Sequence, residues 1–125
     1  MRVFKNKWFD KFCKKQKITN AKLIELINNI ENGLVDVDYG GSLIKQRLAR
    51  NNQGSSGGYR SIILYKLNDK AFFVYGFAKN DRDNITKDEE SSFKDLAKEM
   101  LNLDEQTLNK LVLNKILIEV KYDYN

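Results

Sequence analysis

Lys45, Arg47, Arg50 and Arg60 crowd the two ends of KQRLARNNQGSSGGYRS, residues 45–61, whose middle is small, polar and glycine-rich. Lys45 and Arg47 stand two apart in an alternating run, so on an extended strand both side chains leave the same face. Arg60 opens the next such run, and an antiparallel return across the glycine loop brings it back beside Arg47. Lys79 and Arg82 follow a third run, in GFAKNDRDN, and antiparallel order carries that end to the same region. Tyr75, on the run leading to Lys79, adds a phenol or a stacking ring. Such a cluster suits phosphate. Guanidinium forks hold two oxygens each, and a lysine crowded by like charge has its pKa pushed down.

The chemistry that fits is RNA cleavage through the 2′-hydroxyl. A base removes the 2′ proton, cations stabilise the charge on the phosphorane, and a proton donor serves the departing 5′ oxygen. The chain has no histidine, which excludes His-based acid–base work, Ser-His-Asp triads and nearly every zinc site. A depressed lysine is then the natural base, and neither metal nor cofactor is expected. Spacing alone leaves a second reading open, in which the same residues are solvated charges on an exposed sheet face. The loop NNQGSSGG lacks the G-x-x-x-x-G-K-[ST] pattern and leads into a strand rather than a helix. It reads as a flap over a polyanion groove, not as a nucleotide cradle.

The elements that must hold these residues follow from periodicity. RVF is a short first strand, and KWFDKFCKKQ a helix with Trp8, Phe9 and Phe12 on one face, read as core. TNAKLIELINNIENG is a second amphipathic helix with Leu23, Ile27, Ile30 and Leu34 inward. Thr19 or Asn20 caps it and Gly33 stops it. The period then changes to two. SLIKQRLA sends Ile44 and Leu48 one way, Lys45 and Arg47 the other, and YRSIILYKL and KAFFVYGFA follow as strands joined at NDK. From Thr86 the helical period returns, with Thr86 and Glu89 as a capping box ahead of Phe93, Leu96, Ala97 and Met100. Asp104 caps a last short helix, Leu103 and Leu108 form a hydrophobic staple, and KILIEV is a candidate final strand. The expectation is α+β, with helices packed on one face of an antiparallel sheet of about four strands.

A length of 125 residues suits a single domain over 1–125, and no repeat, low-complexity tract or proline marks a boundary. Apolar residues at 42% and charged residues at 31% are a globular composition. No run approaches a membrane span, and MRVFKNKWFDKFCKK lacks the apolar core of a secretory signal. The lone Cys13 cannot form an internal disulfide, reads as a packing residue, and fits a reducing cytoplasm. The net charge of +5 is unevenly placed. Residues 1–82 carry +9 and residues 83–125 carry −4. A polyanion met by one face is the implied partner.

GGSLIKQRLAR, GSSGGYRSIILY and AFFVYGFAKNDRDNI, in that order, resemble the RelE/ParE superfamily of type II toxin–antitoxin toxins. HigB-like RelE-family toxins look nearest, and the resemblance runs from WFDKF through GLVDVDYGG to the acidic C-terminal helices. It implies a RelE-like α+β fold with two N-terminal helices against a twisted antiparallel sheet, followed by C-terminal helices. It also implies a metal-independent endoribonuclease that cleaves mRNA in the ribosomal A site. A cognate antitoxin, expected to be of helix-turn-helix type, would neutralise it. The superfamily's Lys-x-Arg pair is matched by Lys45 and Arg47, the arginine of its Gly-Tyr-Arg segment by Arg60, and later basic residues by Lys79 and Arg82. Arg50, Tyr75 and Arg82 complete the expected RNA-binding set around catalytic Lys45, Arg47, Arg60 and Lys79. Two departures stand out. Asn80 replaces an arginine of the best-understood members, and no tyrosine lies between Tyr75 and Tyr122, where they carry a catalytic one near the place of Thr86. The alternatives are a ParE-like inhibitor of DNA gyrase and a degenerate toxin kept as an antitoxin-binding corepressor.

Overall fold

The computed structural model describes residues 1–49 and 58–121. Its elements run β1 (Arg2–Asn6), α1 (Lys7–Gln16), α2 (Asn20–Glu31), β2 (Val37–Gly40), β3 (Leu43–Leu48), β4 (Tyr59–Lys66), β5 (Lys70–Ala78), α3 (Lys87–Met100), α4 (Glu105–Leu113) and β6 (Leu117–Glu119). The helix ends are written in the sequence. Asn6 and Thr19 accept from Phe9 and Lys22 backbone N–H groups at the starts of α1 and α2. Gly33, at φ +84°, ends α2 in the left-handed conformation that glycine adopts without strain. Both halves of the Thr86–Glu89 capping box form at the start of α3, and Asp104 caps α4.

Six strands form one sheet in the order β2-β3-β4-β5-β1-β6. The expectation of about four antiparallel strands is corrected on two counts. β1 pairs with β5 in parallel, Arg2 to Lys5 beside Lys70 to Phe73, so the sheet is mixed. Its two outermost strands are β2 and β6, the one in a segment read as a connection and the other only a candidate. β2 has four residues, VDYG, with none fully buried, so it carries no apolar alternation to announce it. It is set by the turn at Gly40 and Gly41, both with positive φ, which folds it back on β3. β6 pairs antiparallel with β1, and Arg2 grips it by two bonds to Glu119 (2.9 and 3.0 Å) while reaching Glu105 at 2.6 Å.

Helix placement is the third correction, because helices cover both faces rather than one. On one face α1 and α2 bury Phe9, Cys13, Leu23, Ile27 and Ile30 against Ile44, Leu48, Ile63 and Phe73. On the other, α3 and α4 bury Ala97, Leu101 and Leu108 against Leu43, Ile62, Leu64 and Phe72. Both strand faces are therefore apolar in the sheet's middle, and β4 has six consecutive buried residues, the mark of a strand covered on both sides. Leu34, expected inward, is 62% exposed, because the chain has already left α2 at Gly33. Cys13 is buried, and burial raises its thiol to about 11, which makes it a packing residue rather than a nucleophile.

Candidate functional site

Pairing between β3 and β4 places Arg47 directly opposite Arg60 and Lys45 opposite Ile62. Directly opposed residues share a face, and this is the face that α3 covers farther along. Leu43, Lys45 and Arg47 step outward along β3 from the core to the sheet's end, as Leu64, Ile62 and Arg60 do along β4. β5 repeats the gradient, with Phe77 opposite Arg60 and Lys79 just past the strand's end, its backbone N–H bonded to Gly58 carbonyl. Three adjacent strands thus trade apolar side chains for cations at one end.

Lys45, Arg47, Arg60 and Lys79 line one cleft of about 240 Å³, with Asp36 and Asp83 at its margin. Arg60 is 6% exposed, and its guanidinium donates to the Tyr59 carbonyl at 3.2 Å. Arg47 is exposed at the rim. Among the described residues, none of Lys45, Arg47 and Lys79 has a carboxylate within ion-pair distance, unlike Lys5, Arg2 and Arg82 elsewhere. The Lys45 ammonium has its pKa lowered, first by burial and then by the charge of Arg60, with Arg47 and Lys79 adding to it. Four cations against two carboxylates around one hollow leave a net positive charge there, which suits an anionic group.

Three neighbours were not found from sequence. The Asn84 side-chain oxygen accepts from the Tyr39 hydroxyl (2.6 Å), Lys45 Nζ (3.3 Å) and the Ile85 backbone (2.9 Å). It therefore fixes both Lys45 and a tyrosine beside it. Burial raises the Tyr39 phenol above its usual pKa, so it stays protonated and able to donate. Asp36 accepts from the Arg47 backbone N–H, tying the α2–β2 connection to β3. Tyr39 and Asp36 come from the half-exposed stretch around β2, where no periodic signal drew attention. The spacing of Tyr39 and Lys45 becomes meaningful only once β2 is known to pair with β3.

Two expected RNA-binding residues fall outside this cleft. Arg82 makes a two-pronged bond to Glu89 (2.5 and 3.2 Å), reaches the Tyr75 hydroxyl at 3.1 Å, and donates to the Asn84 carbonyl at 3.0 Å. It clamps the turn after β5 to the start of α3. Tyr75 packs against Trp8 (ring centroids 4.6 Å) and Phe93 (6.0 Å). Both residues line a neighbouring groove of about 420 Å³ beside Trp8, Phe12 and Gly76. Arg50 and the expected flap, Gly58 apart, lie outside the described residues.

A mixed sheet with helices on both faces, ending in four clustered cations, defines a small basic α+β protein with a concentrated positive charge at one end of its sheet. The RelE toxin family, of the RelE/RelB toxin–antitoxin system, matches residues 1–120, and the chain belongs to that family. Members are in general endoribonucleases, and membership implies a cognate antitoxin as partner. No curated protein matches the chain. No helix among the described residues is long and apolar enough to cross a membrane.

Proposed function

We propose that this chain is a ribosome-dependent mRNA endoribonuclease of the HigB-like branch, acting in the cytoplasm as one toxin domain over residues 1–125. The observation that carries the reading is the single cleft lined by Lys45, Arg47, Arg60 and Lys79. With an mRNA phosphate there, Arg60 and Arg47 hold the non-bridging oxygens and Lys79 positions the backbone. Lys45, its pKa lowered by burial and by Arg60, takes the proton from the 2′-hydroxyl. The 2′ oxygen attacks phosphorus, the P–O5′ bond breaks, and the products are a 2′,3′-cyclic phosphate and a 5′-hydroxyl. The departing 5′ oxygen needs a proton, and the role of donor is assigned to the Tyr39 phenol, which Asn84 holds beside Lys45. This supplies a tyrosine from β2 where the family pattern has one near Thr86. The antitoxin, proposed to be of helix-turn-helix type, would neutralise the toxin by shielding the basic end of the sheet.

Mapping mRNA 5′ ends after brief induction tests the reading, with wild type beside Arg60→Ala and Arg47→Ala. New ends inside translated codons, absent in both variants at equal protein level, are the expected result. Arg47 is at the rim, so its variant guards against a fold defect at buried Arg60. Growth arrest without new ends would instead point to a gyrase-directed, ParE-like action, and no growth arrest to a corepressor.

A further inference from the structure

We infer that the groove between α1 and the open edge of β5 is a nucleobase-stacking site, with Trp8 as its platform, for the RNA strand entering or leaving the cationic cleft. The inference rests on the endoribonuclease reading and adds a second binding element to it.

β1 ends at Asn6 and pairs with β5 only as far as Phe73. From Tyr75 to Ala78, β5 is therefore an edge strand on that side, and the Asn6 side chain donates to the Val74 carbonyl where the pairing stops. At the same place β5 carries a bulge: Ile62 faces Tyr75 while Ile63 faces Phe73, leaving Val74 extra. A bulge re-aims side chains, and here it swings Tyr75 to the sheet margin against Trp8. Gly76 follows, and its missing side chain lets the Phe12 ring close directly on the strand, leaving Trp8 stacked at the open side. The result is a groove of about 420 Å³ beside Trp8, Phe12, Tyr75 and Gly76.

Trp8 is 45% exposed. It is braced by Phe12 (centroids 5.4 Å, rings 15° apart) and by Tyr75, so the indole is held in place while part of it remains open to solvent. An ordered, half-open indole over stacked rings is a poor core residue but a good surface for a planar base. Lys11 and Lys15 lie three and seven residues after Trp8, on the same stripe of α1, and both line the groove. Among the described residues neither is in an ion pair, whereas Lys14 on the adjoining stripe is held by Asp10. Aromatic floor and free cationic rim together are what a single-stranded nucleic acid recognises, through base stacking and backbone charge.

The two hollows share a wall. The end of β5 gives Ala78 to the groove, and the turn after it gives Asp81 and Arg82 to the groove and Lys79 and Asp83 to the cleft. A strand whose phosphate sits among Lys45, Arg47, Arg60 and Lys79 therefore passes over this turn into reach of Trp8. An extended protein segment added to the β5 edge is the competing occupant. The unpaired Lys11 and Lys15 and the aromatic floor favour RNA.

Trp8 is the only tryptophan, so its emission reports on this groove alone. The probe is a single-stranded oligonucleotide of about 10 residues, 2′-O-methylated so that it cannot be cleaved and end-labelled so that anisotropy follows binding separately. At low ionic strength, binding by anisotropy should quench Trp8 emission in parallel. Trp8→Ala should weaken affinity roughly 5- to 150-fold, as expected for one lost stacking contact, and Trp8→Phe should recover most of it. Binding by anisotropy with unchanged emission, and equal affinity in Trp8→Ala, would overturn the groove and leave the cleft standing. Absence of binding by either signal would overturn the groove, while the cleft, whose reading is ribosome-dependent, stands or falls with the 5′-end mapping. Emission that responds to the co-purified antitoxin and never to the oligonucleotide would give the groove to a protein partner.

Discussion

Arg47 and Arg60 face each other across a strand pair, and the consequence is a measurable conflict between stability and activity. Directly opposed like charges on an antiparallel pair are destabilising, by a few tenths to about 1 kcal/mol. Arg47 is exposed and Arg60 nearly buried, so water screens part of the repulsion, and about 0.5 kcal/mol is the reasonable figure. Arg47→Gln keeps the aliphatic stem and removes the charge. It should therefore stabilise the fold by about 0.5 kcal/mol, a rise in Tm of roughly 2 °C for a domain of this size. Screening predicts that the gain shrinks as salt is raised. On the proposed function the same change removes a charge-assisted hydrogen bond to phosphate, worth about 1.5–3 kcal/mol, so cleavage should fall by roughly 10- to 150-fold. The assay is paired: thermal unfolding at low and high salt, and single-turnover cleavage on programmed ribosomes. A variant less stable than wild type at low salt would refute the repulsion argument. Full activity would remove Arg47 from the site.

Lys45→Arg keeps the charge but not a group that deprotonates in the working range, so it should lose about 100-fold or more in rate. In wild type the rate should climb with pH and level off below the ordinary lysine pKa, because burial and Arg60 lower that of Lys45. Retained activity in Lys45→Arg would reduce its role to charge alone. Glu89, bonded to Arg82 and to the Thr86 backbone, has its carboxyl lowered from 4.5 to about 2. Its folded-state pKa lies below the unfolded one, so its stabilisation is complete above about pH 4.5 and disappears as pH falls toward 2. Both partners are about one third exposed, so Glu89→Gln should cost about 1 kcal/mol at pH 7 rather than the full value of the shift. Denaturant melts should show that gap closing by pH 2–3, and a gap independent of pH would contradict the ion pair. Gly76→Ala places a methyl 2.8 Å from a Phe12 ring carbon, and Phe12 is wedged among Trp8, Phe9 and Tyr59. A loss of about 1–3 kcal/mol in urea unfolding is expected, and an unchanged midpoint would mean that the ring has slack.

What the sequence conveys here is mostly what periodicity conveys. The capping residues, the alternation that separates Ile44 and Leu48 from Lys45 and Arg47, and the stop at Gly33 were legible because each is a local rule. The parallel pairing of β1 with β5 was not, since it joins residues 2–5 to residues 70–73 and no local pattern encodes a partner. α3 and α4 lie opposite α1 and α2 for the same reason. A helix shows that it has an apolar stripe without showing which side of the sheet receives it. Trp8 is the instructive case. Its spacing with Phe12 is that of a core stripe, yet the sheet beneath it runs out where β1 ends, and this length mismatch is invisible until pairing is known. Lys45, Arg47, Arg60 and Lys79 were easier to gather, because strand alternation and hairpin return suffice to bring them together.

The open cleft follows from how far α3 reaches along a sheet that helices cover on both sides. Same-face residues on a strand are about 6.6 Å apart, so Leu43, Lys45 and Arg47 sample three depths under or beyond the helix. Leu43 is fully buried, Lys45 half-buried and Arg47 exposed. Cations set in from the end of β3 would be sealed under α3, and farther out they would be ordinary surface charge. Depth sets the electrostatics: partial burial lowers the pKa of Lys45, while Arg47 stands exposed to solvent. The register is equally strict. A slip of one residue between β3 and β4 would pair Arg47 with Ser61 or Tyr59, which belong to the opposite face, and disperse the cluster. Leu43 and Leu64, paired under α3, hold that register by hydrophobic packing at the far end of the same two strands. The core under α3 thus fixes the geometry of the charges beyond it, and a substitution such as Leu64→Ala should disturb the cleft without touching any residue that lines it.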